Sequence, residues 1–288
     1  MERTVVITGA SSGVGLAAAE QLAARGDRVV VVGRDPGRLA AAMKRVRAAS
    51  TGPEPGEFRA DFESFAEVRG LAEHLLAAYP KIDVLANNAG GIVGGYRKTK
   101  DGYEATIQGN HLAPFLLTHL LRERLSGGRV VNTASAAHRE GRPDPADLVG
   151  TPGSYRAYRT YGASKTANIL FAAEAARRWP DITSVSFHPG VVRTNFGTGR
   201  AMRFFYKYTP FLVTPEKAGA LLAWLATTPA SELVDGGYYV GHRATEPKAF
   251  ARDPELAARL WDASVVATGE QRAGGQKAGE KNAGEKKE

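Results

Sequence analysis

The sequence of 288 residues contains no cysteine and no long hydrophobic run. Without cysteine, a disulfide framework, a cysteine-ligated zinc or iron–sulfur site and catalysis by a thiol are excluded. The most apolar stretch, residues 112–121, is interrupted by Pro114, Thr118 and His119 and is too short to span a bilayer. The N-terminus lacks the apolar core of a secretory signal. We therefore expect a cytoplasmic protein without a membrane anchor.

Acidic residues are outnumbered, and the net charge is +8. The last twenty residues, 269–288, hold five basic and four acidic residues, repeat the sequence AGEK and contain no aromatic or β-branched residue. This composition predicts a disordered tail that contributes little to the net charge. The other basic residues are scattered rather than gathered in an arm, so nucleic acid is not an expected partner.

Apolar, β-branched segments alternate with longer segments of helical periodicity. The predicted strands cover residues 5–8, 29–32, 82–86, 129–133 and 183–187, with a late strand at 236–241. The predicted helices cover residues 16–25, 38–49, 65–79, 103–125, 161–179 and 215–227. Continuously apolar strands imply that both faces of the sheet are covered, and the alternation implies parallel crossovers. We predict an α/β fold with a doubly wound parallel sheet, Rossmann-like, in a single domain.

A glycine-rich turn follows the first predicted strand, where residues 8–15 are TGASSGVG. Glycines allow a sharp turn and a close ligand approach, and the N-terminus of the next helix offers N–H groups to a diphosphate. The turn predicts a dinucleotide site; the alternative is a turn in which Ser11 or Ser12 only caps the helix. The predicted contacts are Gly9, Ser11, Ser12, Gly13, Val14 and Gly15.

The end of the second predicted strand indicates which dinucleotide binds. An acid at this point would bind the 2′-hydroxyl of an adenosine ribose. Here Arg34 follows the strand, and the nearby Asp35 precedes Pro36, which is typical of a helix start. Arg34 can form paired hydrogen bonds to a 2′-phosphate, so NADP(H) is favoured over NAD(H). The alternative is that Arg34 is a solvated surface residue.

Two tyrosines stand four residues before a lysine, a spacing that places both side chains on one face of a helix. The pairs are Tyr161 with Lys165 and Tyr96 with Lys100. A neighbouring ammonium stabilises a phenolate and suits the tyrosine to general acid/base catalysis. Tyr96 lies in a Gly- and Lys-rich segment typical of a loop, whereas Tyr161 begins a segment of strong helical pattern. The helix context favours Tyr161 and Lys165.

A hydroxyl near the tyrosine would polarise a substrate oxygen. Ser135 follows the strand predicted at 129–133, at the edge where doubly wound sheets place their sites. Two alternatives stay open: Ser135 only caps a turn, or Thr133 supplies the hydroxyl.

Together these motifs resemble the short-chain dehydrogenase/reductase family. The matching positions, in the family's order, are residues 8–15, the Asn-Asn-Ala-Gly of 87–90, Asn110, Ser135, Tyr161, Lys165 and the Pro-Gly of 189–190. Segments 110–121, 134–138, 161–171 and 188–194 resemble the branch of the retinol dehydrogenases and the WW-domain oxidoreductase. The resemblance extends from Thr4 to about Gly241.

The resemblance implies a role for each matching position. Tyr161 would be the general acid/base, and Lys165 would also hold the nicotinamide ribose. Ser135 would bind the substrate oxygen, and Asn110 would position a water of a proton relay. The further cofactor contacts that it implies are Asp61, Phe62, Asn88, Ala89, Gly90, Pro189, Gly190, Val192 and Thr194. As a departure, Pro114 lies in the predicted helix of Asn110, where it removes a backbone bond and is expected to kink the helix.

Residues 193–208 carry four basic residues, five aromatic residues and no acid. We expect a lid at about 193–214 that closes over an apolar or aromatic carbonyl or alcohol, with the loop 138–143 near the substrate mouth. The alternatives are a surface helix packed on the core and a segment that lies on a membrane.

The sequence therefore predicts an NADP(H)-dependent oxidoreductase that interconverts an alcohol and a ketone or aldehyde on an apolar small molecule. Its domain would span residues 1–268, and its chemistry needs a phenol, an ammonium and a hydroxyl but no metal. The alternative is a catalytically silent NADP(H)-binding sensor or scaffold, which an altered Tyr161 or Lys165 would have favoured. A monomer and a homodimer both stay open.

Overall fold

The structure is a computed structural model, and it describes residues 3–192 and 212–270. The strands of this part of the chain are β1 (Thr4–Thr8), β2 (Arg28–Gly33), β3 (Gly56–Arg59), β4 (Val84–Asn87), β5 (Arg129–Thr133), β6 (Thr183–His188), β7 (Tyr238–Val240) and β8 (Arg243–Ala244). They form one sheet in the order β3-β2-β1-β4-β5-β6-β7-β8. Neighbouring strands are parallel except for the antiparallel pair β7 and β8. The predicted parallel α/β sheet is confirmed.

Helices cover both faces of this sheet. They are α1 (Gly13–Ala23), α2 (Pro36–Ala49), α3 (Phe65–Ala78), α4 (Ala105–Ile107), α5 (Ala113–Leu120), α6 (Ala157–Arg178), α7 (Pro215–Thr227) and α8 (Pro254–Thr268). A π-helical turn, Gln108–Leu112, joins α4 to α5. None of the helices in the described ranges is both long and apolar enough to cross a membrane.

Successive residues of the central strands contribute to opposite layers of the core. Val5 and Ile7 pack in one cluster with residues of α1, α2 and α7, whereas Val6 packs in another with residues of α3, α5, α6 and α8. All three side chains are fully buried. Burial of one such side chain contributes about 1.5–3 kcal/mol, so a continuously apolar strand stabilises both layers.

The prediction of one helix over residues 103–125 is wrong. The segment contains α4, the π-helical turn, α5 and a short 3₁₀ turn, Arg122–Leu125. Proline has no N–H, so Pro114 cannot donate the α-helical bond to the carbonyl of Asn110, four residues earlier. The irregular backbone therefore occurs at the predicted site residue Asn110.

Three elements of the described ranges were not among the predicted ones: β3, β8 and α8. The edge strand β3 alternates between half-buried and exposed residues, and β8 has only two residues, both exposed. Such short, polar edge strands give no apolar signal. In addition, α6 begins at Ala157 rather than at the predicted residue 161.

Candidate active site

The glycine-rich turn lies between β1 and α1 and packs against the residues that follow β4. Gly9 and Gly13 have φ values of 66° and 58°, in the region that favours glycine. A Cβ atom on Gly9 would lie 2.7 Å from the Cα of Ala89, and one on Gly15 would lie 2.5 Å from Nδ2 of Asn88. The absence of side chains at these glycines therefore lets the two predicted cofactor-binding segments meet.

The N-terminus of α1 is open to a ligand. Ser12 is the N-cap residue, but its side chain makes no capping hydrogen bond. The Ser12 side chain therefore does not occupy the first N–H groups of the helix, which leaves them available to an anion. Ser11 lies beside the end of β2, because a Cβ atom on Gly33 would be 2.9 Å from its Cβ, and Val14 packs on the core.

Thr8 begins the predicted motif of residues 8–15 but was not among its predicted contacts. Its buried Oγ1 accepts hydrogen bonds from the N–H groups of Asn88 and Ala89, each at 3.0 Å, and donates to the carbonyl of Ala86 at 3.2 Å. One side chain therefore fixes the end of β4 against the start of the glycine-rich turn. The sequence signal for Thr8 was its position directly before Gly9 in the motif.

Arg34 lies directly after β2, and 59% of its side chain is exposed. Its Nη1 is 3.8 Å from Asp61 Oδ1 and 3.6 Å from Glu63 Oε1. The interpretation of Asp35 as a helix cap is confirmed, because its carboxylate accepts a hydrogen bond from the N–H of Arg38 at 2.8 Å at the start of α2. The Asp35 carboxylate thus caps the N-terminus of α2.

Asp61 and Phe62 differ in what they can offer a ligand. Asp61 is half-buried, and its Oδ1 accepts a hydrogen bond from the N–H of Glu63 at 3.0 Å. The side chain of Phe62 is 7% exposed and packs with Val68 and Leu71 in the core. Asp61 is therefore close to Arg34, whereas Phe62 can face a ligand mainly through its backbone.

Tyr161 and Lys165 lie together on one face of α6. Lys165 Nζ is 5.6 Å from the centroid of the Tyr161 ring, and both side chains are buried. Tyr96, in contrast, lies in a loop, where its hydroxyl donates to the carbonyl of Gly150 at 3.1 Å, and Lys100 is exposed. Of the two pairs with the same spacing, the one predicted in a helix is the one that the fold buries.

The Lys165 ammonium is held at the end of β5. Nζ donates a hydrogen bond to the carbonyl of Thr133 at 2.9 Å. Complete burial lowers the pKa of Lys165 to about 8, because removal from water disfavours the charged form. The group therefore still carries its proton at neutral pH.

Asn110 is bound to both sides of this cluster. Its Oδ1 accepts from the N–H of Gly91, and its Nδ2 donates to the carbonyl of Gly91 and to Oγ of Ser164, each at 2.9 Å. Ser164, which the sequence reasoning missed, donates in turn to the carbonyl of Tyr161 at 2.7 Å. A Cβ atom on Gly90 would lie 2.8 Å from Asn110 Oδ1 and 3.4 Å from Lys165 Nζ. Asn110, Gly90 and the Tyr161–Lys165 pair thus form one cluster.

Ser135 is the N-cap residue of a 3₁₀ turn, Ala136–Glu140, directly beyond β5. Its Oγ accepts a hydrogen bond from the N–H of Ala137 at 3.2 Å, so the turn-capping interaction is present. A hydroxyl that accepts one bond keeps its own hydrogen to donate to another group. Thr133 Oγ1, the alternative, lies 3.4 Å from Asn88 Oδ1.

The residues after β6 pair with the segment that precedes α7. Val192 and Val213 form an isolated parallel bridge, and a Cβ atom on Gly190, whose φ is 89°, would lie 2.5 Å from Val213 Cγ2. Pro189 lies at the same edge of the sheet, directly after β6. Thr194 and residues 193–211 of the lid predicted at about 193–214 lie outside the described residues.

The loop at 138–143 borders an open cavity of about 370 Å³. It is lined by four basic residues, one acidic residue, a phenylalanine and a glycine: Arg139, Arg142, Arg159, Lys248, Glu140, Phe250 and Gly141. The structure therefore places a basic depression beside the turn that carries Ser135.

Proteins of known family resemble this chain over most of its length. The family model described as short chain dehydrogenase matches residues 3–202. A protein of Streptomyces sp. (strain C5), named as a candidate daunorubicin C-13 ketoreductase, is 52% identical over 268 residues, covering 93% of each chain. Human retinol dehydrogenase 14 is 36% identical over 291 residues, covering 93% of this chain and 86% of its own.

Solved structures share the fold. The crystal structure of an uncharacterised protein from Mycobacterium paratuberculosis has a TM-score of 0.77 and 31% identity, covering 93% of this chain and 94% of its own. A short chain dehydrogenase from Burkholderia cenocepacia J2315 in complex with NADP has a TM-score of 0.67 and 26% identity, covering 82% and 94%. The motifs, the sheet and these similarities agree: the chain belongs to the short-chain dehydrogenase/reductase family of oxidoreductases, in its retinol-dehydrogenase-like branch.

Proposed function

We propose that the protein is an NADP(H)-dependent oxidoreductase that interconverts an alcohol and a ketone or aldehyde on a largely apolar small molecule. The observation that carries the proposal is the buried pair on α6, in which Lys165 Nζ lies 5.6 Å from the ring centroid of Tyr161. The names of two relatives support the substrate class, since one refers to reduction of a ketone and the other to oxidation of retinol.

The residues at the glycine-rich turn fit a dinucleotide. Side chains on Gly9 or Gly15 would collide with the segment after β4, and Ser12 leaves the N-terminus of α1 uncapped by its side chain. The glycine-rich turn and the N-terminus of α1 thus form a cradle that suits a diphosphate. The bound nicotinamide would supply or accept the hydride. Arg34 supports NADP(H), because its exposed guanidinium lies at the end of β2, where the adenosine ribose binds in such folds.

In this mechanism, Tyr161 gives a proton to the substrate oxygen during reduction and takes it back during oxidation. The Lys165 ammonium stabilises the phenolate that forms, and the carbonyl of Thr133 keeps it in place. The Ser135 hydroxyl donates a hydrogen bond to the substrate oxygen while its own oxygen remains bonded to the N–H of Ala137. Asn110 keeps α6 in position through Ser164.

The proposal also assigns roles to residues that lie partly outside the described ranges. Thr194 would lie beside the nicotinamide, and the segment at about 193–214 would close over the substrate. The catalytic domain would be residues 1–268, and its last helix, α8, ends at Thr268 with Gly269 in the left-handed conformation. Residues 269–288 would form the tail.

The test is Tyr161→Phe, which removes the hydroxyl and keeps the ring. We expect kcat to fall by about 10²–10⁴-fold, since a general acid/base contributes that much, while NADPH binding is retained. The matched control is Tyr96→Phe, which removes a hydroxyl from the other tyrosine and should leave kcat unchanged. NADPH absorbance would be followed with daunorubicin, all-trans-retinal and acetophenone.

Two results would contradict the proposal. A Tyr161→Phe enzyme with the wild-type rate would exclude Tyr161 as the proton donor. An unaltered protein that binds NADPH tightly but turns over no carbonyl or alcohol of a broad panel would favour the silent sensor.

A further inference from the structure

The peptide group between Ser135 and Ala136 is held from both sides by histidines. Its carbonyl, on Ser135, accepts a hydrogen bond from Nδ1 of His138 at 2.8 Å. Its N–H, on Ala136, donates to Nδ1 of His188 at 3.3 Å. The two imidazoles come from different elements, the 3₁₀ turn after β5 and the last residue of β6. A single peptide plane is therefore fixed by two side chains that are 50 residues apart in the sequence.

Backbone partners define the protonation of both imidazoles. His138 donates through Nδ1 to a carbonyl, and its Nε2 accepts from the N–H of Lys248 at 3.3 Å, so the ring is neutral with its hydrogen on Nδ1. His188 accepts at Nδ1 from the N–H of Ala136, so its hydrogen is on Nε2 when it is neutral. A second proton on either ring would place a hydrogen against a backbone N–H.

The surroundings oppose that second proton. His138 is 1% exposed, and burial lowers its pKa. The hydrogen bond to the Ser135 carbonyl raises that pKa in part, and the charges of Arg139 and Lys248 lower it further. Burial lowers the pKa of His188 to about 4, with a smaller contribution from His138. The ring of Tyr238 meets His138 edge-on, with 5.1 Å between the centroids. Both pKa values therefore lie below that of a free imidazole, which favours the neutral rings that the hydrogen bonds require.

The same turn is fastened to the helix of the proposed general acid. Thr166 Oγ1 lies 2.9 Å from the carbonyl of His138 and 2.7 Å from that of Gly141. Thr166 directly follows Lys165 on α6. The position of Ser135 relative to Tyr161 therefore depends on the turn that His138 and His188 hold.

We propose that His138 and His188 are positioning residues that fix the Ser135 hydroxyl for the reaction, as two neutral imidazoles on the Ser135–Ala136 peptide. The inference rests on the proposed role of Ser135. The two hydrogen bonds restrict rotation about the backbone on either side of this peptide, and with it the direction in which the Ser135 side chain leaves the chain. A hydroxyl that is fixed before substrate binds stabilises developing charge without reorganisation.

The first test compares two substitutions of His188. Phenylalanine fills the space of the ring without accepting from Ala136, whereas the Oδ1 of asparagine can take the place of Nδ1. We expect His188→Phe to lower kcat by about 10- to 100-fold, with NADPH affinity and far-UV circular dichroism unchanged. His188→Asn should restore most of the loss. The control is His242→Phe, at an exposed histidine of the β7–β8 turn, which should leave kcat unchanged.

A double-mutant cycle tests whether His188 acts through Ser135. Ser135→Ala alone should lower kcat by about 10²–10³-fold, as loss of one donor to a developing oxyanion does. If positioning is the role, adding His188→Phe to Ser135→Ala costs little more. Full additivity of the two losses would overturn the inference. A Ser135→Ala enzyme with the wild-type kcat would instead overturn the proposed role of Ser135.

The second test needs no substrate. Two-bond ¹H–¹⁵N NMR spectra of the imidazole side chains distinguish the two neutral tautomers and the charged ring. We expect His138 with hydrogen on Nδ1 and His188 with hydrogen on Nε2, both neutral at about pH 7. An imidazolium at either residue at that pH, or the opposite tautomer, would overturn the inference whatever the kinetics show.

Discussion

Among residues 3–192 and 212–270, the contacts of Arg34 with carboxylates are all long. The distances of 3.8 Å to Asp61 and 3.6 Å to Glu63 exceed those of hydrogen-bonded ion pairs, and the guanidinium is mostly exposed. Glu63 is also bound to Arg97 at 2.6 Å. Exposed pairs of this kind contribute about 0–1 kcal/mol, so a 2′-phosphate can displace them at little cost.

Arg34→Ala should therefore weaken NADPH binding far more than NADH binding. A hydrogen bond to a charged group contributes about 1.5–3 kcal/mol, which corresponds to a 10- to 100-fold loss for NADPH. The two dissociation constants would be measured by fluorescence titration. Arg47→Ala is a matched control, because Arg47 lies at the opposite end of α2 and pairs with Glu54. Equal losses for both cofactors would contradict the assignment of Arg34.

At the scale of residues, a site residue can be predicted from the sequence where a local pattern identifies it. The spacing of Tyr161 and Lys165 and the Asp35–Pro36 helix start are local, and the structure has both. The hydrogen bonds that join Asn110 to Ser164 and Ala136 to His188 are not local, and the second joins residues 52 positions apart. Such a bond leaves no periodic trace in the sequence, so it becomes visible only when the fold brings β5 and β6 together.

At the scale of elements, α8 is the largest one absent from the prediction. It begins with Asp253 as N-cap and Pro254 at the first turn, the same combination as Asp35 and Pro36 at α2. Asp253 accepts hydrogen bonds from the N–H groups of Glu255 and Leu256 at 3.0 and 3.2 Å. The start signal was thus present in the sequence. The contact of α8 with α5 and α6 was not, because it depends on tertiary packing.

Trp261 is one of the residues through which α8 packs on the core. Its ring centroid lies 4.8 Å from that of Trp179 and 5.1 Å from that of Phe115, and the residue is 5% exposed. Trp261→Ala should lower the free energy of unfolding by about 3–5 kcal/mol, through lost burial and the cavity left behind. Guanidinium denaturation would measure the change.

The control for this substitution lies on the same helix. Val266 is 80% exposed, so Val266→Ala should change the free energy of unfolding by less than about 0.5 kcal/mol. Similar losses for the two variants would mean that α8 is not packed on the core as described.

At the scale of the whole molecule, the sheet joins the two layers and the site. The order β2-β1-β4-β5 brings the glycine-rich turn, the segment after β4 and Ser135 to one edge, although they are far apart in the sequence. The alternation of strands and helices predicts this architecture, and the crossover rules place the site at the carboxyl ends of the strands. The edge strands β3 and β8 escape prediction because pairing, rather than their own residues, makes them strands.

Because both layers share one sheet, they should unfold together. Trp224 packs with the cluster on one face, while Trp179 and Trp261 belong to the other. Two single-tryptophan variants therefore report on separate layers: Trp179→Phe/Trp261→Phe keeps Trp224, and Trp179→Phe/Trp224→Phe keeps Trp261. In each variant, we expect the fluorescence and far-UV circular dichroism transitions in guanidinium to coincide, as in a single cooperative unit.

Cofactor binding should stabilise both layers together. The glycine-rich cradle is built from β1, α1 and the end of β4, which connect the two layers. NADPH at 100 times its dissociation constant should raise the free energy of unfolding by about 2.7 kcal/mol, and the two tryptophans should report the same rise. NADPH-free protein measured in parallel is the control. If the layer of Trp224 were stabilised while that of Trp261 kept its midpoint, the layers would unfold independently. The chain would then be two cooperative units joined through the sheet, contrary to the single unit that its continuously apolar strands predict.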